Sequence, residues 1–277
     1  MLRSLIIALS TIMGLLLPNM GVASYYYDIS HAFSPEELTQ ISVGEERVPV
    51  FESSSNLALS RGVAIILAEQ SPQGLPLSSA IQLSYMLNDK GWHTLVSPAP
   101  IPLTQNKNDD IPETLHPKSD SRAHVFDYTL HSQHLMLLMQ ALNTHLDNHQ
   151  GYNMVIAHGM NAAQLLDLGA QNAISLPSTL VTIAPYWPNT KNNKRIPELI
   201  THTECPILDL SIPYLNSWEQ QTVKTRKTLA NTSLKLHYRQ LVLTAPNVKI
   251  EPAENEKNPY IQLIASSILG WTRYLGW

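Results

Sequence analysis

The sequence predicts an α/β fold: a mostly parallel sheet covered by helices on both faces. Three observations carry it. Apolar runs of strand length alternate along the chain with stretches of helical periodicity. The run Val63–Leu67 is continuously apolar, the mark of a strand buried on both faces. Each connection between successive runs is long enough to hold a crossover helix.

Taken in order, "SYYYDISHAFSPEELTQISVGEERVPVFE" reads as a short helical or irregular entry followed by a strand. Ser34 with Pro35 resembles a helix start, the serine capping and the proline at the first helical position. "RVPVFES" reads as an edge strand, where Pro49 is tolerable. "GVAIILA" is the first buried strand. In the next stretch Leu77, Ile81, Leu83 and Leu87 lie at helical spacing, with Gly91 just beyond. "WHTLVSPAP" is a strand ending in prolines, and "HSQHLMLLMQALNTHLDNHQ" a helix closed by Gly151. Then follow strand "YNMVIAHG", a helix over Met160–Leu168, and strands "STLVTIAPYW" and "CPILDLSIP". A polar helix "EQQTVKTRKTLANTSL", a strand "KLHYRQLVLTA" and a closing helix "YIQLIASSILGWTRYLGW" complete the chain.

The first 23 residues read as a secretory signal peptide. Arg3 precedes an apolar run from Leu5 to Leu17, and Gly21-Val22-Ala23 offers small residues for cleavage after Ala23. The run is shorter than the roughly 20 apolar residues a spanning helix needs, so an uncleaved anchor is the lesser alternative. Residues 24–277 are expected to form a single domain, with a long loop at about 98–128 rich in Pro, Asn, Asp, Ser and Lys. That loop is either a disordered excursion or a lid or partner-binding loop over the strand ends.

A formal net charge of -4 with only 18 Lys and Arg excludes a basic nucleic-acid surface. The one cysteine, Cys205, cannot form an internal disulfide and reads as a small buried hydrophobe. An exported chain without a disulfide framework fits the bacterial periplasm. After cleavage no membrane span is expected.

The stretch "MVIAHGMNAAQLL" poses the functional question. A strand passes through a tight turn into a helix, as in a nucleophile elbow, where small residues around the apex let its side chain stand above the sheet. Here Ala157, His158, Gly159, Met160 and Asn161 fill the five positions. The turn is preserved, but Gly159 carries no hydroxyl. Asp209, late in "CPILDL", is the candidate acid. For the base, His237 falls at the wrong end of its strand, His158 beside the apex reads as packed beneath the turn, and His202 precedes the acid. Ser71, soon after the first buried strand, is the candidate for a displaced nucleophile.

No cofactor-binding or metal-binding residues are expected. His131 and His134, then His145 and His149, recur at helical spacing, but no Glu follows the first of either pair as in a zinc-peptidase helix. They read as exposed helix histidines. No phosphate-binding glycine loop occurs. The tyrosines of "YYY", Trp187 and the terminal "GWTRYLGW" either complete the core or form a binding surface.

Several landmarks in fixed order resemble the bacterial domain-of-unknown-function family 3530, whose members are alpha/beta-hydrolase-like. They are "RGVAIILAEQSPQG", the "GWHTLVSP" strand with Gly91, Trp92 and Thr94, the elbow "YNMVIAHGMNAA", "CPILDL", "HYRQLVL" and "ILGWTRYL". The likeness spans about Val48 to Leu275. It implies the alpha/beta-hydrolase fold and export. It also implies that the serine of the wider superfamily aligns with Gly159, its acid with Asp209, and its histidine after Ala245. The chain has neither a hydroxyl at Gly159 nor a histidine after Ala245. The expectation is an exported protein without triad chemistry, binding an unknown small molecule or an envelope protein. The alternative is a cryptic esterase or amidase with a displaced nucleophile.

Overall fold

The computed structural model describes residues 26, 29, 33, 37–70, 74–102, 126–149, 151–213, 215–244 and 259–277. Its centre is an eight-stranded sheet of order β1-β2-β4-β3-β5-β6-β7-β8. The strands are β1 (Leu38–Val43), β2 (Glu46–Ser53), β3 (Gly62–Ala68), β4 (Trp92–Pro98), β5 (Tyr152–His158), β6 (Thr179–Ile183), β7 (Ile207–Ser211) and β8 (Tyr238–Val242). The pairs β1–β2 and β2–β4 are antiparallel, and β4, β3, β5, β6, β7 and β8 run parallel.

Two sequence expectations change at the amino end. Leu38–Val43 is a strand rather than a helical entry, hairpinned to β2 through Gly44 and Glu45. The capping Ser34 and Pro35 lie outside the described residues. β2 is therefore not the edge. Pro49 is still accommodated, because β2 pairs with β4 only over Phe51–Ser53. No ladder partner on that side requires the N–H that Pro49 lacks.

The helices are α1 (Leu77–Asn88), α2 (Tyr128–His145), α3 (Gly159–Ala170), α4 (Thr190–Asn193), α5 (Ile196–His202), α6 (Ser217–Gln220), α7 (Val223–Thr232) and α8 (Pro259–Tyr274). Helices α1 and α8 cover one face, packing on Ala64, Ile66, Val96 and Ile156. Helices α2, α3, α5 and α7 cover the other, on Ile65, Leu67, Leu95 and Val155. Side chains of β3 alternate between the two covered faces, which explains why its seven residues are all buried. The predicted helix after the long loop ends at His145 rather than running on to Gly151.

Local chemistry fixes the joints. Asp127 caps α2 by accepting from the Leu130 N–H at 2.9 Å. Gly62, at φ 145°, lies so close to β5 that an added Cβ would sit 1.9 Å from the Tyr152 carbonyl oxygen, so only glycine fits. Thr94 explains itself through a buried network: its hydroxyl meets Ser84 Oγ at 2.6 Å and accepts from Asn88 Nδ2 at 3.0 Å. Asn88 also donates to the Trp92 and Ser53 carbonyls, tying α1 to β4 and to the end of β2. Each polar atom in that network finds a partner where an orphan would be costly.

The aromatic residues divide. Trp92, Trp187 and Trp271 are fully buried and belong to the core, whereas Trp277 and Tyr274 remain exposed. Among the described residues no helix is long and apolar enough to cross a membrane. Cys205 is buried, and burial pushes its thiol up to about 11. Iodoacetamide at pH 8 is accordingly expected to leave Cys205 unmodified in the folded protein and to alkylate it fully in denaturant, read by mass spectrometry.

Candidate functional site

In open parallel sheets the ligand crevice lies where successive crossovers leave a strand in opposite directions. Here β3 connects through α1 to β4 on one side, and β4 then crosses back over β3 to β5 on the other. The carboxyl ends of β3 and β5 flank that point. Glu69 is the first residue after β3, and His158 and Gly159 form the β5–α3 turn.

The turn has the sharp geometry expected from its small residues. Gly159 adopts φ 53°, the left-handed region that favours glycine. A Cβ there would lie 3.2 Å from Tyr186 Cε1 and 3.4 Å from Glu69 Oε1. The space above the apex is thus already lined closely by these two side chains. Tyr186 is also held from below, its N–H donating to the Gly159 carbonyl at 3.3 Å.

Glu69 organises the residues around the apex. Its Oε2 accepts from His158 Nδ1 at 2.8 Å, and its Oε1 accepts from Asn161 Nδ2 at 3.0 Å. Asn161 Oδ1 in turn accepts from His131 Nε2 at 3.0 Å, extending the chain of bonds to α2. A carboxylate only accepts, so a neutral His158 carries its proton on Nδ1. Its Nε2 is then an acceptor, buried and without a hydrogen-bond partner among the described residues. Burial pulls the His131 imidazole below its ordinary pKa, against the Asn161 hydrogen bond. Burial, and after it the Glu69 carboxylate, raise the Tyr186 phenol. The assembly can hold a proton and accept or donate hydrogen bonds, but Gly159 offers it no nucleophile.

Glu69 escaped the sequence reading. Its signal was a lone charge directly after a continuously buried strand, in "AIILAEQ". The sequence places His158 packed beneath the turn. It is buried, and it is also bonded to Glu69.

Asp209 sits elsewhere, in the middle of β7 with no solvent exposure. Arg226 Nε donates to its Oδ2 at 2.9 Å, joined by Tyr238 Oη at 2.7 Å and Gln240 Nε2 at 2.9 Å. Arg226 also donates to Glu219 Oε1 at 2.7 Å, to Thr222 Oγ1 and to the Pro185 carbonyl. Burial pulls Arg226 down, but the Asp209 and Glu219 carboxylates outweigh it and leave its pKa raised. Burial and Asp209 raise the Tyr238 phenol. Asp209 makes no hydrogen bond to any histidine among the described residues. It anchors α7 and β8 to the sheet.

The other candidates are dispersed. Ser71 lies outside the described residues, as do residues 103–125 of the predicted loop and residues 245–258, where the superfamily histidine would fall. His202 is exposed at the end of α5. His237 is exposed just before β8, its ring 6.2 Å from that of Tyr274. On α2, His131 belongs to the Glu69 assembly and His134 is half-buried one turn on. His145 and His149 join a second group that the sequence did not reveal. Glu52 Oε1 meets His93 Nε2 at 2.9 Å, Glu52 Oε2 meets His145 Nε2 at 2.9 Å, and the His93 and His149 rings lie 4.3 Å apart. The hydrogen bond to His93, against burial and with help from His145, holds the Glu52 carboxyl down to about 2.

Comparison with solved structures identifies the fold. The chain is similar to dienelactone hydrolase from Anabaena variabilis at 16% identity and TM-score 0.52, covering 84% of this chain and 96% of that one. It is similar to the carboxylesterase Cest-2923 from Lactobacillus plantarum at 9% identity and TM-score 0.56, covering 87% and 97%. A third is XC6422 from Xanthomonas campestris, described as an a/b serine hydrolase without lid, at 10% identity and TM-score 0.51, covering 88% and 97%. The fold is that of the α/β hydrolases. The family model described as "Protein of unknown function (DUF3530)" matches residues 28–258, and the chain belongs to that family. No curated protein matches it by sequence.

Two stability measurements check this geometry. Gly159→Ala is expected to cost about 1–2 kcal/mol in urea denaturation, from the left-handed backbone alone. Arg226→Ala leaves two buried carboxylates uncompensated and should cost about 3–5 kcal/mol.

Proposed function

We propose that the protein is an exported, non-catalytic member of the α/β-hydrolase class that binds a small molecule or an envelope protein in the bacterial periplasm. One observation carries the reading: the apex of the elbow is Gly159, and Tyr186 and Glu69 crowd the volume a nucleophilic side chain would need. Two further features support it. Asp209 receives its short hydrogen bonds from Arg226, Tyr238 and Gln240 on Oδ2, its Oδ1 meets Thr182 Oγ1 at 3.5 Å, and no histidine among the described residues bonds to it. The sequence holds no histidine after His237. The binding groups are those that remain around the apex, His158 Nε2 as acceptor and the Tyr186 phenol.

Export rests on the amino-terminal leader, with the domain starting at Ser24. Protein recovered from a periplasmic extract is expected to begin Ser24-Tyr25-Tyr26 by amino-terminal sequencing. An intact Met1 on membrane-bound protein would count against cleavage.

The alternative is a cryptic esterase or amidase with a displaced nucleophile such as Ser71. It draws on the hydrolase and esterase names of the fold neighbours and on the Glu69–His158 pair, which has the bonding of a base and its orienting acid. A fluorophosphonate probe separates the two. Binding without catalysis predicts no stoichiometric adduct, and Gly159→Ser is expected to gain none, since Asp209 stays locked to Arg226. Stoichiometric labelling of one serine in the unaltered protein would favour the hydrolase. Trace turnover would not, because binding and backbone donors alone leave residual rate enhancement.

A further inference from the structure

We propose that Glu52, His93 and His149 form a binding site for a divalent transition-metal ion of the zinc type, remote from the elbow. The three residues come from β2, β4 and the segment after α2, which are far apart in sequence. Their ligand atoms nonetheless lie within 4.8 Å of one another. Ligands about 2.0–2.1 Å from a tetrahedral cation stand somewhat over 3 Å apart, so modest side-chain rotation closes the set.

The arrangement is more specific than a surface cluster. His93 is only 8% exposed and is fixed within β4, where its strand neighbour is Val63. His149 is exposed and supplies both the mobile ligand and the route of entry. Glu52 divides its two oxygens: Oε1 faces His93, and Oε2 accepts from His145 Nε2 at 2.9 Å. His145 therefore orients the carboxylate without itself being a ligand, the relation that commonly fixes a metal-bound group from behind. The cation takes the place of the proton between His93 Nε2 and Glu52 Oε1; that proton leaves to solvent from an imidazolium, or passes to Nδ1 of a neutral ring, so His93 binds as neutral imidazole in either case.

The donor set selects the metal. Two imidazoles and one carboxylate suit zinc and its borderline neighbours, whereas magnesium and calcium favour all-oxygen shells. Three protein ligands leave a fourth position for water. The site lies at the amino end of β4. Glu69 follows β3 at the opposite end of the sheet, about 20 Å away at 3.3 Å per residue from Val63. A metal bound here does not reach His158, so this site stands or falls apart from the reading of the elbow.

The test is calorimetric titration of zinc chloride into untagged protein freed of metal by EDTA and exchanged into chelator-free buffer. Cobalt(II) absorption reports the coordination number. One zinc per chain is expected, with the intense visible bands of four-coordinate cobalt. His149→Ala, whose side chain is exposed and whose fold is checked by circular dichroism, should weaken binding by about 100-fold or more, and Glu52→Gln likewise. His145→Ala should weaken it by about 10–100-fold, the range for an orienting partner. His202→Ala should leave it unchanged. Absence of stoichiometric binding in the unaltered protein overturns the proposal. So does binding that survives His149→Ala and Glu52→Gln intact, or that falls equally with His202→Ala.

Discussion

The left-handed turn at Gly159, bracketed by the two arms of Glu69, is the constraint on which the functional end of this molecule depends. One oxygen of that carboxylate holds the residue before the turn and the other holds a residue two beyond it. β5 can therefore reverse into α3 within a single residue while His158 and Asn161 stay fixed. In a hydrolase the same sharp turn presents a nucleophile. Here it presents backbone, and Tyr186 rests against it. The strain that the turn implies is borne by the one residue type for which it is small.

Among the described residues, three groups of charged side chains have distinct tasks. Glu69, His158, Asn161 and His131 run across the carboxyl ends of the strands and join β3 to α3 and α2. Asp209, Arg226 and Glu219 lie buried under α7, where extra donors from Tyr238 and Gln240 offset the excess negative charge. Glu52 and its histidines lie at the other end of β4. A triad requires its acid to serve a histidine. Here the acid on β7 serves an arginine, and the histidine at the strand ends is served by a glutamate from β3. Neither exchange disturbs the sheet, because each carboxylate is satisfied where it stands.

Most of the fold was legible in the sequence because its signals are local. The continuous run of β3, the helical spacing of α1 and the glycine-containing turn after β5 each declare an element without reference to the rest of the chain. β1 was not legible, since "LTQISV" is short, its apolar Leu38, Ile41 and Val43 keep no strict alternation, and it becomes a strand only by pairing with β2. Helices α4 and α5, in "TKNNKRIPELITH", were hidden for a similar reason: they are too short to show a period. At the site, the missing hydroxyl of Gly159 could be read directly. Glu69 and Glu52 could not, because their meaning comes from partners 41 to 93 residues away in the chain. The spacing of His145 and His149 looked like an ordinary exposed helix face until β2 and β4 supplied Glu52 and His93.

The proposed function requires that the elbow keep its architecture without acyl-transfer chemistry. Stopped-flow reaction of the purified protein with p-nitrophenyl acetate in excess tests it most directly, because a nucleophile that forms an acyl intermediate releases one equivalent of nitrophenol ahead of steady turnover. An elbow without a nucleophile gives a trace with no burst. A burst equal to the protein concentration would contradict it.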